Sequence, residues 1–187
     1  SEMCIRDSRY AALCQAHDIV PIVEPEVLID GDHDLARSFE VTQHAQQTVF
    51  AALADQDVDL RGIVLKPSMV ISGADAADRA GINVVAQETL RCLLSTVPAA
   101  VPGIAFLSGG QSDEEATQHL NAMNEIGGSL PWAVTFSYGR ALQAAAMKQW
   151  AGHTDNVESA RQVAFHRAQM NGAAALGQYS SEMEKAA

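Results

Sequence analysis

Two hydrophobic periods alternate along this chain. Ile19-Val20-Pro21-Ile22-Val23 is a short apolar run rich in β-branched residues, the pattern of a buried parallel strand. After a polar stretch, Leu35, Phe39, Thr42, Val49, Phe50 and Leu53 fall on one helical face. The rhythm repeats with Gly62-Ile63-Val64-Leu65 and a helix carrying Ala86, Leu90, Leu93, Leu94 and Val97. Gly103-Ile104-Ala105-Phe106-Leu107 then leads to a helix opened by a Ser112/Glu115 capping box, faced by Leu120 and Met123 and ended by Gly127-Gly128. A fourth strand, Ala133-Val134-Thr135-Phe136, runs into a helix with Leu142, Ala146 and Trp150 at four-residue spacing. A last helix starts near Asp155, and the polar tail from Gly177 onward is expected to be loosely held.

Four consecutive βα units predict an α/β fold, a parallel sheet covered by helices. Two architectures satisfy that pattern: an open doubly wound sheet, or part of an eight-stranded barrel. A complete barrel takes about 250 residues. The 187 residues here, with four strands, supply half of one.

Composition narrows the partners. Apolar residues make up 48% and charged residues 19%, enough to bury a core. Twelve Lys and Arg against 23 Asp and Glu leave a formal charge of −11, which argues against a general nucleic-acid or acidic-membrane binder because both need a basic footprint. It leaves room for a small anion held by a local cluster of donors. No run approaches the roughly 20 apolar residues of a membrane span, and residues 1–8 lack the apolar core of a secretory signal. Cys4, Cys14 and Cys92 are odd in number and widely spaced, so they read as reduced thiols of a cytoplasmic protein.

The chemistry-bearing residues collect at the C-terminal ends of the four strands, the ligand-binding edge of both architectures. Lys66 leaves an apolar strand just before Pro67. Desolvation there would favour a neutral amine able to attack a ketone; the alternative is a lysine whose stem snorkels into water. Glu24 and Glu26 flank Pro25 and, two apart on extended backbone, point to one side as an acid/base pair or as solvated loop carboxylates. Ser108-Gly109-Gly110 lets backbone amides approach an anion before a helix, and Gly139-Arg140 does the same after the next strand with a guanidinium added. Two consecutive strands ending this way match the barrel habit of binding phosphate after its last two strands. Asp30, Asp32, His33 and Asp34 lack the spacing of a calcium loop, and Asp32 or His33 is expected to start the following helix instead. No metal site is read here. His17, His44, His119, His153 and His166 are scattered and expected on surfaces, while Trp132 and Trp150 read as packing.

With those residues in place, the sequence resembles the class I, Schiff-base fructose-bisphosphate aldolases. The resemblance is carried by Val20-Pro21-Ile22-Val23-Glu24-Pro25-Glu26, Asp30-Gly31-Asp32-His33-Asp34, Leu65-Lys66-Pro67-Ser68-Met69-Val70, Phe106-Leu107-Ser108-Gly109-Gly110 and Phe136-Ser137-Tyr138-Gly139-Arg140. It runs over residues 9–179 and implies the C-terminal half of such an enzyme, strands five to eight of an incomplete TIM (β/α)8 barrel. Residues 1–8 match nothing in the family at that place, and 180–187 form a polar tail. The resemblance implies Lys66 as the Schiff-base lysine, Glu24 as the acid/base that assists dehydration and Glu26 as a supporting carboxylate. It implies Ser108, Gly109, Gly110, Gly139 and Arg140 around the phosphate of a phosphorylated sugar, no cofactor, and a tetramer for the full-length parent. The family's further aspartate, lysines and arginine on the first four strands are not among these residues, so the chain alone is expected to be inactive. The alternative is a non-catalytic half-barrel that binds phosphorylated ligands or self-associates.

Overall fold

The structure, a computed structural model, describes residues 2–186. Strands β1 (Ile22–Val23), β2 (Val64–Leu65), β3 (Gly103–Phe106) and β4 (Ala133–Phe136) lie side by side in chain order, all parallel. Six α-helices accompany them among the described residues: α1 (Glu2–Gln15), α2 (Leu35–Ala54), α3 (Ile82–Thr96), α4 (Asp113–Ile126), α5 (Arg140–Trp150) and α6 (Val157–Ala174). This is the predicted βα repeat. The chain-order sheet agrees with half of a barrel, and the four described strands show no reversal of order such as marks the switch point of a doubly wound sheet.

Register explains which face is core. Val23, Leu65, Ile104 and Val134 are successive cross-strand partners, and each is at most 6% exposed in the cluster that joins sheet to helices. Residues one step along point the other way. On that opposite face Ile22 is 48% exposed, lining a groove it shares with α1. Strand β1 is shorter than its apolar run because Pro21 has no N–H to donate and no described strand lies beyond it. Ile19 and Val20 are accordingly exposed.

The helices fold as their patterns dictate, with corrections at the edges. Leu90, Leu93 and Val97 are buried, but Leu94 lies one step around the helix and is exposed. Helix α5 buries Ala141; Leu142 is half-buried and Trp150 exposed, while Trp132 is buried. Ser112 caps α4 by accepting from the Glu115 N–H, as the capping box predicts. Asp34, rather than Asp32 or His33, caps α2 by accepting from the Arg37 N–H. Helix α1 has no counterpart in the sequence reading. It runs unbroken across residues 8 and 9, buries Cys4, Ser8 and Ala11, and packs along α2.

The tail is not loose. Tyr179 is buried, and residues 181–186 form a 3-10 helix whose Glu184 receives two bonds from buried Arg167 on α6 at 2.6 Å, another from Tyr179 Oη at 3.1 Å, and pairs with His166 at 3.0 Å. Arg167 also donates to Thr117 Oγ1 of α4, so one guanidinium ties the last residues to two helices.

Candidate active site

The backbone ladder continues past the short strands and sets the site's spacing. The Lys66 N–H donates to the Val23 carbonyl at 2.7 Å, which places Lys66 beside Glu24 on adjacent strand ends. Lys66 Nζ stands 3.0 Å from Glu24 Oε1, with the lysine side chain 21% and the glutamate 43% exposed. The lysine side chain is mostly shielded, and its Nζ is paired with a carboxylate at the strand end.

Buried serines brace that pairing. Ser68 Oγ accepts from the Val27 N–H at 2.8 Å and donates to the Val27 carbonyl at 3.0 Å, lacing the loop after β1 to the loop after β2. Ser38 Oγ accepts from the Ile71 N–H, and three backbone bonds join 29–33 to 73–75. Gly73 is needed there because a Cβ would stand 2.2 Å from the Gly31 carbonyl oxygen.

Glu26 is exposed, and among the described residues the salt bridge of Lys66 is to Glu24. With Glu24, Ile22 and Arg6, Asp7 and Tyr10 of α1, Glu26 lines a groove of about 550 Å³ beside the lysine. Burial raises the Asp7 carboxyl above its ordinary range, Arg6 opposes that, and the nearby Glu24 charge adds to it. A sequence reading that set residues 1–8 aside had no access to this carboxyl.

The two predicted phosphate turns leave neighbouring strands. Phe106 and Phe136 are register partners, and the Ser137 N–H donates to the Phe106 carbonyl at 2.8 Å. Gly109 and Gly110 have φ of +54° and +86°, left-handed conformations that suit glycine. Gly139 is the N-cap of α5 with no side-chain bond to its first turn, and Arg140 is exposed as the first helical residue. Between them Tyr138 is buried and donates to the Ala116 carbonyl at 2.9 Å, anchoring the turn to α4. Ser108, Gly109, Gly110, Gly139 and Arg140 thus share the sheet edge that carries Lys66 and Glu24.

Two buried polar residues behind these turns, Gln111 and His119, were missed or misplaced by sequence. His119 is 1% exposed, not on the surface. Its spacing from Leu120 and Met123 was the available signal, since position 119 falls on the same inward arc as 116 and 123.

The family model described as fructose-bisphosphate aldolase class-I matches residues 2–187. A probable class 1 fructose-bisphosphate aldolase of Xanthomonas campestris is 53% identical over 92% of this chain and 52% of its own length. Cytosolic fructose-bisphosphate aldolase 4 of Arabidopsis thaliana is 46% identical over 98% of this chain and 48% of its own. The aldolase of Plasmodium falciparum, solved with TRAP and a small-molecule inhibitor, superposes with a TM-score of 0.94 at 46% identity, covering 96% of this chain and 52% of that one. The chain spans about half the length of the curated relatives it matches. Sheet topology and sequence relatives agree, and the chain belongs to the class I fructose-bisphosphate aldolase family.

Proposed function

We propose that the complete protein reversibly cleaves fructose 1,6-bisphosphate to dihydroxyacetone phosphate and glyceraldehyde 3-phosphate through a lysine Schiff base, as a cytoplasmic enzyme of glycolysis and gluconeogenesis. The observation that carries this reading is the 3.0 Å contact between Lys66 Nζ and Glu24 Oε1 at the ligand-binding edge of the sheet.

That contact gives the lysine proton a short path to Glu24, leaving a neutral amine to attack the C2 ketone. The carbinolamine hydroxyl takes a proton from the Glu24 carboxyl and departs as water, forming an iminium on Lys66. A base removes the C4 hydroxyl proton, the C3–C4 bond breaks, and its electron pair moves to the iminium to give an enamine. Glyceraldehyde 3-phosphate leaves. Protonation at C3 and addition of water to the regenerated iminium release dihydroxyacetone phosphate and restore the amine. Glu26, in the groove with Glu24, supports these proton transfers. Ser108, Gly109, Gly110, Gly139 and Arg140 hold a substrate phosphate through backbone N–H groups and the guanidinium. The complete enzyme is proposed to be a tetramer.

In the complete protein Lys66→Ala is expected to abolish cleavage and Glu24→Gln to slow it by about 10²–10⁴; near-normal cleavage by Lys66→Ala overturns the reading. The 187 residues alone are expected to show no appreciable cleavage, because β1 and β4 are open edges and Ile22 faces solvent where a preorganised site needs a wall. Those same open edges favour the second reading for the isolated chain: binding of phosphorylated ligands or self-association without chemistry. Protection from thermal unfolding by inorganic phosphate, with no imine formed, supports it.

A further inference from the structure

Behind the Ser108–Gly110 turn lies a buried chain of hydrogen bonds that the proposed chemistry does not use. Gln111 is 8% exposed and grips the Ser108 carbonyl twice: its backbone N–H donates at 3.0 Å and its side-chain Nε2 at 2.9 Å. Nε2 also lies 3.6 Å from the sulfur of Met69, three residues past Lys66. The amide oxygen on the other side stands 2.6 Å from Nδ1 of His119 on α4.

Donor and acceptor roles in this chain follow from chemistry alone. A backbone carbonyl only accepts, so the Gln111 NH₂ must face Ser108; a flipped amide would set oxygen against oxygen. The amide oxygen likewise only accepts, so His119 must carry its proton on Nδ1. Burial keeps the imidazole neutral, so it is held as the Nδ1-protonated tautomer, and its Nε2 is buried with no hydrogen-bond partner among the described residues. An apolar pair would fill this space without an unpartnered nitrogen, so the arrangement calls for an explanation beyond packing.

The geometry of the peptide supplies one. The Ser108–Gly109 peptide is planar and trans, as no cis bond occurs among the described residues, so the Gly109 N–H points opposite to the Ser108 carbonyl. A carbonyl drawn inward by Gln111 therefore aims the Gly109 N–H outward. We propose that His119 and Gln111 are positioning residues for phosphate recognition: His119 fixes the Gln111 amide, Gln111 fixes the Ser108 carbonyl, and the trans peptide turns the Gly109 N–H toward the phosphate. Neither side chain touches substrate. The inference rests on the proposed phosphate role of this turn.

The test uses the complete protein with fructose 1,6-bisphosphate. His119→Leu and Gln111→Leu are expected to raise KM about tenfold, the worth of one well-placed hydrogen bond, with kcat within about twofold. His119→Asn keeps an N–H to give Gln111 and is expected to restore KM to within about twofold. Nitrogen-15 NMR of the wild-type imidazole should show the proton on Nδ1, a readout that survives even if the leucine variants fail to fold. A proton on Nε2, equal KM for the Leu and Asn variants, or a fall in kcat with KM unchanged would each overturn the proposal. Arg140→Ala separates the two levels: if it leaves KM unchanged, the phosphate reading itself fails, whereas a raised KM there beside a normal KM in His119→Leu sinks only the positioning role.

Discussion

Replacing His119 with asparagine should make the folded chain less sensitive to mild acid. Burial, helped by the positive charge of Arg79, lowers the His119 imidazole from 6.5 to about 4. An unfolded chain takes up a proton there below about pH 6.5; the folded chain refuses it until about pH 4. Proton uptake therefore favours the unfolded state across that window, and stability falls as pH drops from 6.5 to 4. At about 1.4 kcal/mol per pH step, the full cost is about 3 kcal/mol, complete below pH 4 and absent at pH 7. Asparagine has no such proton but still offers Gln111 a donor. The assay is urea unfolding at half-unit pH steps from 4 to 7.5, followed by fluorescence of buried Trp132 and by circular dichroism. Carboxylates titrate in both proteins, so the difference between the two curves isolates the histidine. The wild type should lose about 3 kcal/mol relative to His119→Asn between pH 6.5 and 4. Parallel curves over that range would refute a buried, neutral His119.

Other consequences are as direct. Gly73→Ala places a Cβ 2.2 Å from the Gly31 carbonyl and must push apart the loops that follow β1 and β2; a loss of about 1–3 kcal/mol in urea unfolding is expected, and an unchanged midpoint would contradict the close approach. The Cys92 thiol is fully buried and burial raises it to about 11, so a disulfide reagent at pH 8 should leave it unmodified in the folded protein, with Cys14 reacting first; mass mapping of modified peptides decides. Arg167→Leu removes the guanidinium from Glu184 and should speed amide exchange across 179–186 at a cost of about 1–3 kcal/mol; unchanged exchange would mean the tail is held by something else.

Residues whose neighbours are set by period were legible from the sequence. The βα repeat carried Lys66 and the glycine turns to one sheet edge, while the register that sets Val23, Leu65, Ile104 and Val134 on one face is visible only in the fold. Strand lengths were not legible, because where a ladder stops depends on whether a neighbour exists to receive it, as at Pro21. Alternation paired Glu24 with Glu26 and only the family resemblance told them apart; register against β2 brings Glu24 to Lys66. Histidine on α4 read as polar and therefore exposed, since the amide that satisfies it lies eight residues away across a turn. The tail failed for the same reason: Glu184 looks like a solvated charge until Arg167, 17 residues earlier, is folded against it.

Everything in the proposed chemistry depends on Lys66 being the amine that reacts. The three lysines of this chain, Lys66, Lys148 and Lys185, lie far apart in sequence, so peptide mapping tells them apart from one another. The decisive measurement is borohydride reduction of the complete protein mixed with dihydroxyacetone phosphate, followed by peptide mass mapping. One reduced adduct is expected, on Lys66, lost in Lys66→Ala and slowed to form in Glu24→Gln. An adduct on Lys148 or Lys185, or none on Lys66 while the protein still cleaves fructose 1,6-bisphosphate, would contradict it.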